Sequence, residues 1–157
     1  MSPSKNFLIN GVGRKTKFQS AAKIILDQKL ERVLKEIEKF TKNDSIKNLH
    51  SLRIAFRKFR YLLETFSGCF GQKLFNHVNR RVQKNQDLLG ESRDLDVFEL
   101  KLKNYQKELD LVVPESIFSR IDEEKILQRQ VIKTELSKFT SDKDVNSFFI
   151  KSRKSEK

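Results

Sequence analysis

The chain has 157 residues and a mass of 18.5 kDa, enough for one domain with a real core but not for two. Lys and Arg number 33 against 21 Asp and Glu, a formal charge of +12, which points to a polyanionic partner such as nucleic acid, polyphosphate or an anionic membrane. Five glycines and two prolines argue against a turn-rich β domain, and 37% hydrophobic with 34% charged residues suits amphipathic helices, so an all-α protein is expected.

One cysteine excludes an intrachain disulfide and a thiolate zinc site, and fits a reducing cytoplasm. No apolar run approaches the ~20 residues that span a bilayer. The stretch from Phe7 to Val12 is too short and too broken by Asn10 and Gly11 for a signal peptide, so a soluble, non-exported protein is expected.

Residues 1–16 show no sustained period and read as a flexible basic arm. From Lys17 to Thr41, Phe18, Ala22, Leu26, Leu30, Val33, Ile37 and Phe40 recur at three and four residues, the face of a first helix. Asn43, Asp44 and Ser45 can cap a second helix that starts near Ile46 and runs to about Ser67, before Gly68 and Gly71. A third segment from Gln72 to Leu89 ends at Gly90, placed as a helix C-terminal glycine would be. Asp94 then caps a fourth helix with Leu95, Phe98, Leu102, Tyr105 and Leu109 on one seam. Pro114 opens a fifth, carrying Ile117, Ile121, Ile132 and Phe139. A short helix around Val145 to Ile150 precedes a disordered basic tail, 151–157. The expectation is an antiparallel bundle of about four long helices plus C-terminal helices, over residues 17–150.

Between His50 and Lys84 lie eight basic residues and one acid, Glu64. Advancing about 100° per residue, His50, Arg53, Arg57 and Arg60 fall within an arc of about 80°, opposite Leu49, Leu52, Phe56, Phe59 and Leu63. Lys58 sits about 80° from His50 on the other side. Lys73, His77, Arg80 and Lys84 repeat the pattern on the third helix, and the two stripes are expected to form one groove. Like charges three and four residues apart repel, and a purely structural surface would intersperse acids. An anionic ligand explains the stripes better, and arginine's paired donors favour phosphate over carboxylate.

The segment His50-Ser51-Leu52-Arg53-Ile54-Ala55-Phe56-Arg57-Lys58-Phe59-Arg60-Tyr61 resembles the signature of the CHAD family, the conserved-histidine α-helical domains. About forty residues downstream, Leu89-Gly90-Glu91-Ser92-Arg93-Asp94-Leu95-Asp96-Val97 resembles that family's LG-x-x-RD-x-DV turn between two helices. The resemblance covers roughly residues 17 to 140. It implies a helical bundle that binds inorganic polyphosphate, often beside triphosphate-cleaving domains or on polyphosphate granules, with His50, Arg53, Arg57, Lys58 and Arg60 as the phosphate-contacting set. His50 has a structural alternative, at a helix start. Arg93, Asp94 and Asp96 take structural roles, with an Asp orienting an arginine of the groove. CHAD domains usually pair two such bundles about a pseudo-twofold axis, whereas this chain carries one motif and looks like half a domain. Two copies pairing as a C2 homodimer would rebuild the missing half, with Phe139, Phe148, Phe149 and Ile150 as contact candidates; packing of these residues on their own bundle is the alternative.

No enzyme is expected. Glu64 is the lone acid between Arg53 and Lys84, no glycine-rich phosphate loop is present, and Asp94 and Asp96 would point about 160° apart on a helix, so neither a metal nor a cofactor is called for. Nucleic-acid binding is the alternative function, and a helical scaffold the third. Phe56, Phe59, Phe66, Phe98 and Tyr105 fall on expected core faces, leaving only Tyr61 near the stripe for base stacking, which favours a ligand without bases.

Overall fold

The computed structural model describes residues 9–153, with side chains through Phe148. Five α-helices follow one another without a strand among the described residues: α1 (Phe18–Lys42), α2 (Ile46–Thr65), α3 (Gln72–Glu108), α4 (Glu115–Ser141) and α5 (Lys143–Arg153). Four long helices and a C-terminal one make the all-α antiparallel bundle expected, although the third and fourth are divided differently.

In α1 the apolar period buries Ala22, Leu26, Leu30, Val33, Ile37 and Phe40. The helix ends where Asn43 turns extended, and the Asn48 side chain donates to the carbonyls of Lys39 and Asn43 at 3.4 and 2.8 Å. Of the three capping candidates Ser45 serves: its Oγ accepts from the Asn48 amide at 3.3 Å and opens α2. That helix buries Leu49, Leu52, Ala55, Phe56, Phe59 and Leu63, so its opposite face is held toward solvent by the packing of these six residues.

Gly90 does not end a helix. α3 runs unbroken for 37 residues through Gly90 and Asp94, and Gly11 is the one described glycine with positive φ. Glycine inside a helix costs only about 0.5–1 kcal/mol, and here Leu89, Ser92 and Asp96 on either side are buried against the fold. Asp94 is therefore no cap; it is an exposed residue in mid-helix. The segment that reads as a fourth helix is the second half of α3, which ends at Glu108 with Leu109 as its C-cap, followed by Asp110 in the left-handed region at φ 47°.

The turn to α5 is a single residue. Asp142 Oδ1 accepts from the amides of Asp144 and Val145 at 2.9 and 3.2 Å, capping α5. The ring of Phe139 lies 5.4 Å from that of Phe56, and Phe148 lies 4.5 Å from Phe70, so both proposed contact residues belong to the core of their own bundle. The side chains of Phe149 and Ile150 lie outside the described residues.

Within the stretch read as an arm, residues 9–16 turn back on α1: the Gln28 side chain donates to the Asn10 carbonyl at 2.7 Å. Residues 1–8 and 154–157 lie outside the description. Among the described residues, no helix is long and apolar enough to cross a membrane.

Beyond the start of α2, the second half of α3 and the first half of α4 form a hairpin that is covered poorly. Phe98, Tyr105 and Leu109 are exposed, as are Ile117, Leu127 and Val131. The sequence places Phe98 and Tyr105 on a core face; the seam exists, but α2 begins too late to lie alongside it, and both rings stay exposed.

Candidate anion-binding site

The packed face of α2 sets the positions of its cations. His50 and Arg57 are exposed, Arg53 is half-buried, and none of the three makes a hydrogen bond or ion pair to any described residue. Arg60, also half-buried, donates from Nε to Glu64 at 2.9 Å. The stripe read from the sequence is thus present, with its fourth member neutralised.

Its expected companion is placed elsewhere. A groove of about 340 Å³ beside Arg53 and Arg57 is bounded on α3 by Gln86, Asp87, Gly90, Glu91 and Asp94, not by the basic stripe of that helix. His77 Nε2 lies 3.0 Å from Asp142, and Lys84 Nζ lies 2.9 Å from Glu135, so these two face α4 and α5. Arg81, the next residue after Arg80, pairs with Asp142 at 3.0 Å. Arg80 donates to its own helix, at the Asn76 carbonyl, while exposed Lys73 makes no hydrogen bond or ion pair to any described residue. The two basic stripes therefore do not face each other across one groove. Lys58 is separated from both, on the α1 side of α2 beside Lys29 and Arg32.

The cations in turn favour the ionised form of the carboxylates that hold them. Lys138 and then Lys84 hold Glu135 below the usual carboxylate range, against the opposing effect of burial. Asp142 is pushed up by burial, but His77 and the two α5 amides outweigh this and leave it lowered. His77, Asp142 and Asp144 bring potential metal-ligand atoms within 4.8 Å of one another, yet the Arg81 guanidinium on Asp142 already supplies the positive charge there.

The downstream motif acts at a distance from the groove arginines. Asp96 is buried and binds Arg129 of α4 at 3.0 Å, with Lys125 at 3.1 Å, and the hydroxyl of Ser92 accepts from the same guanidinium. The expected orienting role of an Asp thus falls to Asp96, but the arginine it orients is Arg129. Asp94 lines the α2–α3 groove, and Arg93 makes no hydrogen bond or ion pair to any described residue. A concavity of about 610 Å³ lies over this network between Asp44, Asp122, Lys125, Arg129 and Lys133, where acids and bases alternate.

Sequence reasoning missed Lys29 and Arg32, because Glu31, Glu36 and Glu38 make α1 look balanced. It also missed the acidic wall, since the basic window closes at Lys84 and Asp87 stands three residues beyond.

The profile of the CHAD domain matches residues 15–140. The chain belongs to the CHAD domain family, which is associated with polyphosphate binding. It is similar to the uncharacterized protein Rv2226 of Mycobacterium tuberculosis, with 34% identity over 80 residues, 51% of this chain and 15% of that protein. No solved structure matches the chain.

Proposed function

We propose that this protein binds inorganic polyphosphate through α2 and does not cleave it. The observation that carries this reading is the set His50, Arg53 and Arg57, held toward solvent by the buried face of one helix and without a carboxylate partner among the described residues. Arginines that hold no ion-pair partner are free to give charge-assisted bonds to phosphate oxygens. Membership of a family associated with polyphosphate supports the same ligand. Nucleic acid is less well matched. The exposed rings of Phe98 and Tyr105 lie on the α3–α4 hairpin, where residues 95–131 hold eight acids and six bases, so a stacking platform there would repel the backbone it must accompany. Such a binder would act in the cytoplasm, including at polyphosphate granules.

Titration of long-chain polyphosphate against single-stranded and duplex DNA at fixed salt tests the reading. Polyphosphate is expected to bind tightest, with an affinity that falls steeply with salt through counterion release. Equal or tighter binding of DNA, or an affinity flat in salt, would overturn it.

We propose further that the chain pairs with a second copy through the hairpin. Its apolar face carries Phe98, Tyr105, Leu109 and Ile117, exposed together on the part of the chain that is not basic.

A further inference from the structure

The α2–α3 groove has a charge balance that sits badly with a polyanion: two arginines against Asp87, Glu91 and Asp94. On the other flank of α2 the balance is reversed. A cleft of about 440 Å³ between α1 and α2 is lined by Lys29, Arg32 and Lys58 together with Ser51, Ile54 and Ala55, and by no carboxylate. Lys29 and Lys58 make no ion pair or hydrogen bond to any described residue. Arg32 meets Glu36 at 2.8 Å, but that carboxylate is buried and shared with Lys39 at 3.1 Å, so it neutralises only part of the local charge. Because salt screens beyond about 8–10 Å, the groups lining a cleft weigh far more in it than the net charge of the chain.

From this contrast we propose that the α1–α2 cleft is a second anion subsite, which takes phosphoryl groups of an inorganic phosphate chain and contributes more to affinity than the α2–α3 groove. The inference rests on the reading of the protein as a polyphosphate binder. Lys29, Arg32 and Lys58 supply the charge, and the Ser51 hydroxyl can donate to a phosphate oxygen. Arg57 and Lys58 are consecutive on α2, so a polymer held by the exposed ridge of His50 and Arg57 can pass directly into the cleft. The apolar lining is Ile54 and Ala55, with no aromatic ring for a base to stack on, which selects an anion without bases.

The test titrates long-chain inorganic polyphosphate at one moderate salt concentration into the full chain, into Lys29→Ala/Lys58→Ala, into Arg53→Ala/Arg57→Ala, and into Lys101→Ala/Lys107→Ala, a pair that removes the same charge from the hairpin. The cleft pair is expected to weaken binding at least tenfold and more than the groove pair, and the hairpin pair to change it less than twofold. Lys58→Glu alone gives an independent reading of the same loss, and circular dichroism reports helix content for each variant. Unchanged binding in the cleft pair, or equal losses from cleft and hairpin pairs, would overturn the subsite while leaving the polyphosphate reading in place. A loss smaller than that of the groove pair would overturn the ranking. No binding by the parent chain would overturn both the subsite and the reading. A single-stranded oligonucleotide bound as tightly as polyphosphate and weakened equally by the cleft pair would overturn the choice of ligand.

Discussion

Arg129 of α4 donates to both carboxylate oxygens of Asp96 on α3, at 3.0 and 3.3 Å, and both residues are buried. The Nε of the same guanidinium donates to the Asp44 carbonyl at 3.3 Å, so one side chain joins α3, α4 and the turn between α1 and α2. Lys133 fastens that turn a second time, 2.6 Å from the Asp44 carboxylate, and holds Asp44 below its usual range. The polar network thus does at the base of the hairpin what apolar packing does in the bundle.

Asp96→Asn is expected to destabilise the protein by about 3–5 kcal/mol, because it leaves the buried Arg129 guanidinium without its carboxylate partner, while Lys125 keeps Glu99 at 2.7 Å. Urea denaturation measures it. A loss below about 1 kcal/mol would mean that water replaces the carboxylate there.

Gly90→Ala is expected to stabilise by about 0.4–1 kcal/mol, since the position is helical, its φ is not positive, and an added Cβ meets nothing within 4 Å. A fall in melting temperature would contradict an uninterrupted α3. Its outcome separates the continuous helix from a chain break at this glycine, where alanine would be strained.

Arg57 and Arg60 lie on one stripe but should not behave alike. Arg57→Ala removes a cation with no described partner and is expected to weaken polyphosphate binding by roughly ten- to a hundredfold, the scale of one charge-assisted contact of ~1.5–3 kcal/mol. Arg60→Ala gives up a cation already bound to Glu64 at 2.9 Å and should cost less. Equal losses, measured by the same titration, would show that Glu64 does not restrain Arg60.

Stability should fall in acid. Asp44, Glu99, Glu135 and Asp142 all have lowered values in the folded chain, Glu99 through Lys103 and then Lys125. A carboxyl whose folded value lies below its unfolded one contributes stability above the unfolded value and loses it as pH drops through the folded one. With ordinary values of 3.8 and 4.5, the unfolding free energy should be flat on the neutral side of this range and decline as pH falls through and below it. Glu135→Gln should make the decline shallower; an identical slope would remove Glu135 from the account.

Light scattering in moderate salt tests the pairing of two copies. The expected mass is twice 18.5 kDa, returning to 18.5 kDa in Phe98→Glu/Tyr105→Glu. A parent chain of 18.5 kDa with and without polyphosphate would mean that the exposed hairpin does not pair copies.

Most of the bundle was legible because its helices obey one rule: apolar residues three and four apart pack inward, as Leu26, Leu30, Val33 and Ile37 do. The errors cluster where that rule is suspended. Asn85, Ser92 and Asp96 are buried polar residues in the middle of α3, so the apolar period fades beside Gly90 and imitates a chain break. The α2 stripe was legible because a buried face fixes an exposed one on the same helix. Its surroundings were not, since helix periodicity gives no azimuth between neighbours, and the acids at Asp87, Glu91 and Asp94 come next to Arg53 and Arg57 only through packing.

The length of α3 has a mechanical consequence. At about 1.5 Å per residue its 37 residues make a rod of roughly 55 Å, and the wall of the α2–α3 groove and the tip of the hairpin belong to that one rod. A load applied near Leu109 cannot tilt the tip without also moving Asp87, Glu91 and Asp94 against α2, unless the rod flexes between them. Gly90, the one residue of the rod without a side chain, stands within the wall itself. Whatever grips the tip and whatever fills the groove thus act on opposite arms of one lever.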